Sequence, residues 1–305
     1  MRGDVDLSQG NIRFIGRVEI GRDVRDAFEI HAEEGIMING TAEACILRSG
    51  KEITIRGGVT GKGKGRIEAK ESLAARFLDG VEVVCGGDVI VQKEIVNSKV
   101  YSLGRIIVRD GTIVGSEVVA LRGILAREAG SEFGVKTALI AGLDYNVRER
   151  LIHINKDLQR LYQRQEALLN RLGPLLQRAV KHPMLDSRQR EEIEDLMGMA
   201  RSQERQIQRL QAESGDLSRS FAEIAVPCIS IVYRLYPGVT AVVGAYDQEY
   251  NSSLVGPLSL LADNERHCIA AQSGLVIERL WAGGSQVKAA PSARASDAGG
   301  DGKHA

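Results

Sequence analysis

The sequence predicts a mainly β protein: a right-handed parallel β-helix, a single-stranded solenoid of about 17 residues per coil, carrying an inserted helical hairpin. Three observations predict it. First, an apolar–x–apolar step recurs at Ile36, Ile53, Leu73, Val89, Ile106 and Ile124, at spacings of 17, 20, 16, 17 and 18 residues. Second, residues alternate with period two inside each repeat, with glycine or charge at the corners. Third, the period changes abruptly at Val147 to a heptad pattern.

The boundaries that follow are residues 1–143 for the β-helix and 144–222 for an antiparallel coiled-coil hairpin. Residues 223–284 form return strands and 285–305 a disordered tail. In the β-helix, Val81, Val83 and Cys85 alternate with Glu82 and Val84 before the Gly86-Gly87-Asp88 corner. Phe28, Ile30 and Ala32 lead likewise through Glu33-Glu34-Gly35 to Ile36 and Ile38. Alternation of this kind sends one set of side chains inward and the other into water. The inward set is read as Val18, Ile20, Ala44, Ile46, Ile67, Ala69, Val100, Val118 and Ala120. A narrow lumen has no room for many rings, which fits an aromatic content of 4% beside 34 glycines.

From Leu151 the apolar positions step by three and four: Ile154, Leu158, Leu161, Gln165, Leu168, Leu172, Leu175 and Ala179. A second seam runs through Ile193, Leu196, Ala200, Gln203, Ile207, Leu210, Ser214 and Leu217. Two seams of similar length joined by a short loop predict an antiparallel pair. Asp186 or Ser187 caps the second helix. Pro174 lacks the N–H that would bond Asn170 and is expected to kink the first. The polar Gln165 and Gln203 set the register. After Leu217 strands resume: Ile229, Ile231 and Tyr233 alternate, Tyr236-Pro237-Gly238-Val239 turns, and Gly256-Pro257 makes a corner. This block is too small for a core of its own, so it is expected to dock on the solenoid and close its last coil.

Composition limits function. Lys+Arg and Asp+Glu are both 40, so there is no global bias toward nucleic acid. The longest apolar run, near Ala225 to Tyr233, is too short to insert in a membrane. Without a signal-peptide core the expected compartment is cytoplasmic. Cys45, Cys85, Cys228 and Cys268 form no C-x-x-C and are expected to be thiols acting as small core residues.

Candidate chemistry is sparse. Gly58 to Gly65 nearly matches a phosphate loop, but Gly65 stands where Ser or Thr must ligate magnesium, and strand follows it. It is read as an extended corner that explains the 20-residue repeat, with a weaker reading as a basic edge of Arg56, Lys62, Lys64 and Arg66. His31, His153, His182, His267 and His304 show no metal-ligand spacing. Glu33-Glu34 sits at a turn. No catalytic, cofactor-binding or metal residue is assigned.

Several stretches together resemble the flagellar assembly protein A family of bacteria. They are Asp4-Val5-Asp6-Leu7-Ser8-Gln9-Gly10-Asn11-Ile12 with Phe14 and Gly16, the Gly57–Gly65 run, Gly86-Gly87-Asp88-Val89, Gly104-Arg105-Ile106-Ile107-Val108, Lys136-Thr137, and Tyr236-Pro237-Gly238-Val239. The resemblance covers residues 4–275. It implies a cytoplasmic, non-enzymatic protein linked to flagellar assembly. Longer members carry an N-terminal domain before the β-helix; this sequence does not include one and is read as either a short member or a fragment. The fold also resembles the self-associating β-helices of bactofilins and of the septum-site inhibitor. The expectation is a scaffold that presents its coiled-coil arm to protein partners and forms a homo-oligomer. The alternative is a carbohydrate-active β-helix enzyme or polysaccharide-binding protein, which a groove of acidic pairs and aromatics would favour.

Overall fold

The computed structural model describes residues 10–181, 186–220 and 227–273. The tail expected after Ser285, and His182 and His304, lie outside them. Fifteen strands precede the helices: β1 (Ile12–Phe14), β2 (Arg17–Ile20), β3 (Glu29–Ala32), β4 (Gly35–Ile38), β5 (Thr41–Ala42), β6 (Ile46–Ser49), β7 (Ile53–Ile55), β8 (Gly58–Ala69), β9 (Leu73–Cys85), β10 (Val89–Val96), β11 (Lys99–Ser102), β12 (Arg105–Val114), β13 (Glu117–Ala120), β14 (Gly123–Ala129) and β15 (Thr137–Ala141). Then come α1 (Tyr145–Lys181) and α2 (Ser187–Ser220). Six strands follow: β16 (Cys228–Leu235), β17 (Val239–Val243), β18 (Tyr246–Tyr250), β19 (Leu254–Val255), β20 (Leu258–Asp263) and β21 (Cys268–Ser273).

The strands wind into a solenoid of about seven turns with three faces. On the first face Val18, Ile36, Ile53, Leu73, Val89, Ile106, Ile124 and Ile229 lie in one ladder, each the register partner of the next. All eight side chains are buried. The second face stacks Ala42, Val59, Leu78, Ile95, Ile113, Ala129 and Leu235. The third stacks Ile12, Ile30, Leu47, Ile67, Val83, Val100, Val118, Leu139 and Ala241. Parallel pairing along every face satisfies the backbone while the ladders meet in one core.

The inward phase differs from the sequence reading at two places. Cys45, Leu47 and Ser49 point in, not Ala44 and Ile46. The Cys45 N–H bonds the Glu43 carbonyl at 2.7 Å, and that tight turn shifts the alternation by one residue. Tyr233 is also not inward: β16 turns a corner after Ile231, and Leu235 takes the buried place.

Polar side chains tie one coil to the next. The Asn11, Asp23, Asp26 and Asp88 side chains accept the amides of Glu29, Thr41, Ala44 and Arg105. Asp23 Oδ1 also accepts the Thr41 hydroxyl at 2.9 Å. These bonds, the backbone one first, hold the Asp23 carboxyl below its ordinary range. Its stabilising contribution is therefore full above about pH 4 and lost as pH falls through the depressed value. In a series of melting curves below about pH 4, the Asp23→Ala chain is expected to lose stability less steeply than the native one.

At another corner a hydroxyl ladder runs through the stack. Val81 N–H bonds Ser98 Oγ at 3.2 Å, Ser98 N–H bonds Ser116 Oγ at 3.1 Å, and Gly115 N–H bonds Thr137 Oγ1 at 3.0 Å. Ser98, Ser116 and Thr137 are all buried. Ser116→Ala removes the acceptor of a buried amide, so urea titration is expected to show a loss of about 1–3 kcal/mol.

The last part of the chain does not dock as a separate block. β16 and β17 form the next parallel coil, pairing with β14 and β15. Then the direction reverses: β18 pairs antiparallel with β17, β19 and β20 with β16, and β21 with β20. The stack thus ends in an antiparallel cap.

The helices enter between β15 and β16, at one corner. A Cβ placed on Gly142, whose φ is +85°, would lie 2.4 Å from Pro227 Cγ, so the two ends of the insertion touch. α1 and α2 run antiparallel: Arg150 pairs with Glu213, Arg171 with Glu192, and Gln203 Nε2 donates to the Leu161 carbonyl at 2.6 Å. The buried positions Ile154, Leu161, Leu172, Ile193, Leu196, Gln203 and Ile207 all fall on the two seams read from the sequence. α1 continues through Pro174. Arg190 N–H bonds the Asp186 carbonyl, which puts Asp186 at the N-cap of α2.

Candidate functional site

The outer surface of the third face, where the helical arm is rooted, gathers a continuous set of polar side chains. Asp144 caps α1 by accepting the amides of Asn146 at 2.8 Å and Val147 at 3.4 Å. That cap aims the first turn of the helix across the sheet. The Tyr145 ring stands 6.0 Å from Tyr101 on β11, tilted by 48°. Arg148 donates to Glu117 on β13 at 2.8 Å. Tyr145, Glu149 and Ile152 border a cleft of about 360 Å³ whose floor includes Arg66, Glu82 and Tyr101. Burial raises the phenol pKa of both Tyr101 and Tyr145, so both stay protonated at neutral pH.

A ladder of opposite charges continues along the same face. Arg48 lies between Glu29 and Glu68, and Arg66 between Glu68 and Glu82, at 2.6 and 3.7 Å for the latter pair. Each cation joins strands of different coils. Solvent-exposed pairs of this kind are individually weak, but they fix cross-strand register. Bonding to Glu68 first, then the charge of Glu82, raises the Arg66 pKa. This surface can stack, donate and accept; Glu29, Glu68, Glu82 and Glu117 are engaged by arginines, and the two phenols keep their protons.

The phosphate-loop lookalike is a corner within β8. Thr60 pairs with Asp79 and Gly65 with Val81, so three extra residues bulge from this coil. Lys62, at a φ of 52°, turns back over two earlier coils and meets Asp26 at 2.7 Å and Glu43 at 3.2 Å. Of the suggested basic edge, Lys62 and Arg66 are thus held by carboxylates of this chain.

The other sequence candidates stay apart. Glu33 and Glu34 are both exposed at a turn. His153 is exposed and contacts the Glu149 carbonyl at 2.8 Å, and His267 lies 3.3 Å from the Tyr246 hydroxyl. Among the described residues no group of three His, Cys, Asp or Glu side chains is placed to hold a metal. Cys45, Cys85 and Cys228 are buried, and burial pushes the Cys45 thiol up to about 12. Cys268 departs from the expectation of a core thiol: it is exposed on β21, at the outer edge of the cap. Tyr233 on the second face has Arg127 and Arg234 at 5.6 and 5.4 Å from its ring, so guanidinium groups already occupy it.

Tyr101, Glu117, Tyr145 and Arg148 carry no motif, and the sequence reading passed over them. The one local signal was Asp144, an N-cap residue before the change of period. No helix among the described residues is long and apolar enough to cross a membrane. No curated protein and no solved structure matches the chain at a significant level. One family model does match, over residues 1–266, and its description is Flagellar Assembly Protein A beta solenoid domain. With its three-faced parallel stack, inserted helix pair and closing strands, the chain belongs to the flagellar assembly protein A family.

Proposed function

We propose that the protein is a non-enzymatic cytoplasmic scaffold that presents its coiled-coil arm to protein partners during flagellar assembly or polar organisation. Membership of the family supports a role related to flagellar assembly. The observation that carries the finer reading is the construction of the arm. Its root is fixed to the third face by the Tyr101–Tyr145 contact and the Arg148–Glu117 pair. Beyond the root, its buried side chains lie along the seam between its own two helices. At 1.5 Å per residue such an arm reaches roughly 50 Å, a span suited to bridging other proteins.

The test is genetic. In a flagellated host of this protein, the chromosomal copy is replaced by a chain in which residues 147–220 give way to a short Gly/Ser linker. Filament number and motility are expected to fall while the shortened protein stays at its normal abundance. Normal flagellation with the armless chain would overturn the reading.

A further inference from the structure

α1 carries a second apolar stripe that stays largely exposed, although Gln211 of α2 donates to the Tyr162 hydroxyl at 2.8 Å at its near end. Tyr162, Leu169 and Leu176 recur every seven residues and are 46, 55 and 39% exposed; Val180, four residues on, is 83% exposed. Glu166 and Gly173 complete the three-four stepping between them. This is a seam pattern on the flank of the hairpin's own seam, each stripe residue following a seam residue and so lying about 100° round the helix from it. A Cβ added to Gly173 would meet nothing within 4 Å, so a neighbouring helix has room to approach there.

We propose that the stripe seats a second copy of α1, packed antiparallel about a two-fold axis near Arg171, an inference that deepens and rests on the reading of the arm as an interaction element. The stripe is complementary to itself. Antiparallel packing about that point sets Leu169 of each copy over Gly173 of the other, Tyr162 against Val180, and the stem of Glu166 against Leu176 with its carboxylate reaching the rim. An isologous contact needs this exchange of large for small. Charge also favours a like partner. Arg160, Arg164, Arg171 and Arg178 lie off the stripe, while the flank beside it carries Gln163, Asn170 and Gln177. Two copies therefore approach without facing cations, and the amides meet across the axis. A membrane surface or an acidic partner would call for cations beside the stripe instead.

The full chain tests this. Light scattering over a concentration series is expected to approach twice the 33.1 kDa chain mass. Leu169→Glu places two carboxylates at an apolar axis and is expected to raise the dimer Kd at least about tenfold. Circular dichroism should show its helices intact, because Leu169 lies outside the hairpin seam. In a Cys268→Ser background, Leu169→Cys is expected to be joined between copies by a short bis-maleimide, and Arg160→Cys is not. A mass of 33.1 kDa throughout overturns the inference, as does a dimer indifferent to Leu169→Glu. A monomer whose arm is still needed for flagellation would remove the second copy and leave the arm reading standing. A dimer broken by Leu169→Glu in a protein whose arm is dispensable would do the reverse.

Discussion

Gly111→Val is expected to be the most damaging single substitution in the solenoid. Gly111 lies in β12 at the corner between the first and second faces, where the register against β10 shifts between Val108 and Thr112. A Cβ at this position would stand 1.2 Å from the Lys93 carbonyl oxygen. The clash is with backbone, so no rotamer change relieves it. Relief requires two coils to separate, and the pairs Val91–Val108 and Ile95–Ile113 on either side resist that. The expected cost is about 3 kcal/mol or more, with Tm lowered by roughly 6–12 °C in a calorimetric scan. Gly198→Ala is the contrast. It lies in α2 with nothing within 4 Å of the added carbon, and should stabilise its helix by about 0.5–1 kcal/mol. A Gly111→Val chain that melts with the native one would disprove the close approach of the coils.

The second large effect is the removal of the arm. Excising residues 147–220 deletes nearly all of the helix and should leave a soluble, cooperatively unfolding β protein. The warrant is the contact of Gly142 with Pro227, which lets a short Gly/Ser linker join β15 to β16. The ladders continue across the gap: Ile124 pairs with Ile229 and Leu139 with Ala241, as if no insertion were present. Far-ultraviolet circular dichroism is expected to lose its helical signature and keep its β signal through one transition. Loss of all cooperative unfolding would mean that the arm is part of the core.

The same ladders explain how much could be read from the chain. Ile36, Ile53, Leu73, Val89, Ile106 and Ile124 were identifiable because one lumen position repeats with each turn, and all six fall on one ladder. The helix seams were equally legible, because a three-four alternation has one geometric meaning. Errors arose where a local backbone event resets the phase. A three-residue turn at Glu43–Cys45 moved Leu47 inward in place of Ile46, and a corner after Ile231 turned Tyr233 outward. Neither leaves a mark in an apolar count. That the coil has three faces was also hidden, since long strands such as β8 and β9 run around corners without a break. The candidate surface was the least legible part. Tyr101 and Tyr145 meet across 44 residues because the arm leans over the sheet, and no periodicity encodes the direction of that lean.

The touching ends of the insertion also bear on the order in which the chain assembles. Each rung closes on its predecessor after a short stretch of chain: Ile106 reaches Ile124 after 18 residues. The next rung, Ile124 to Ile229, spans 105. For a flexible chain that difference raises the loop-closure cost by about 1.6 kcal/mol. A hairpin that forms first brings Gly142 and Pro227 together and cancels the excess, so β16 searches for β14 across an effectively ordinary loop. The arm then acts as a splint during folding, and helix signal should rise ahead of burial of the final coil in a refolding experiment.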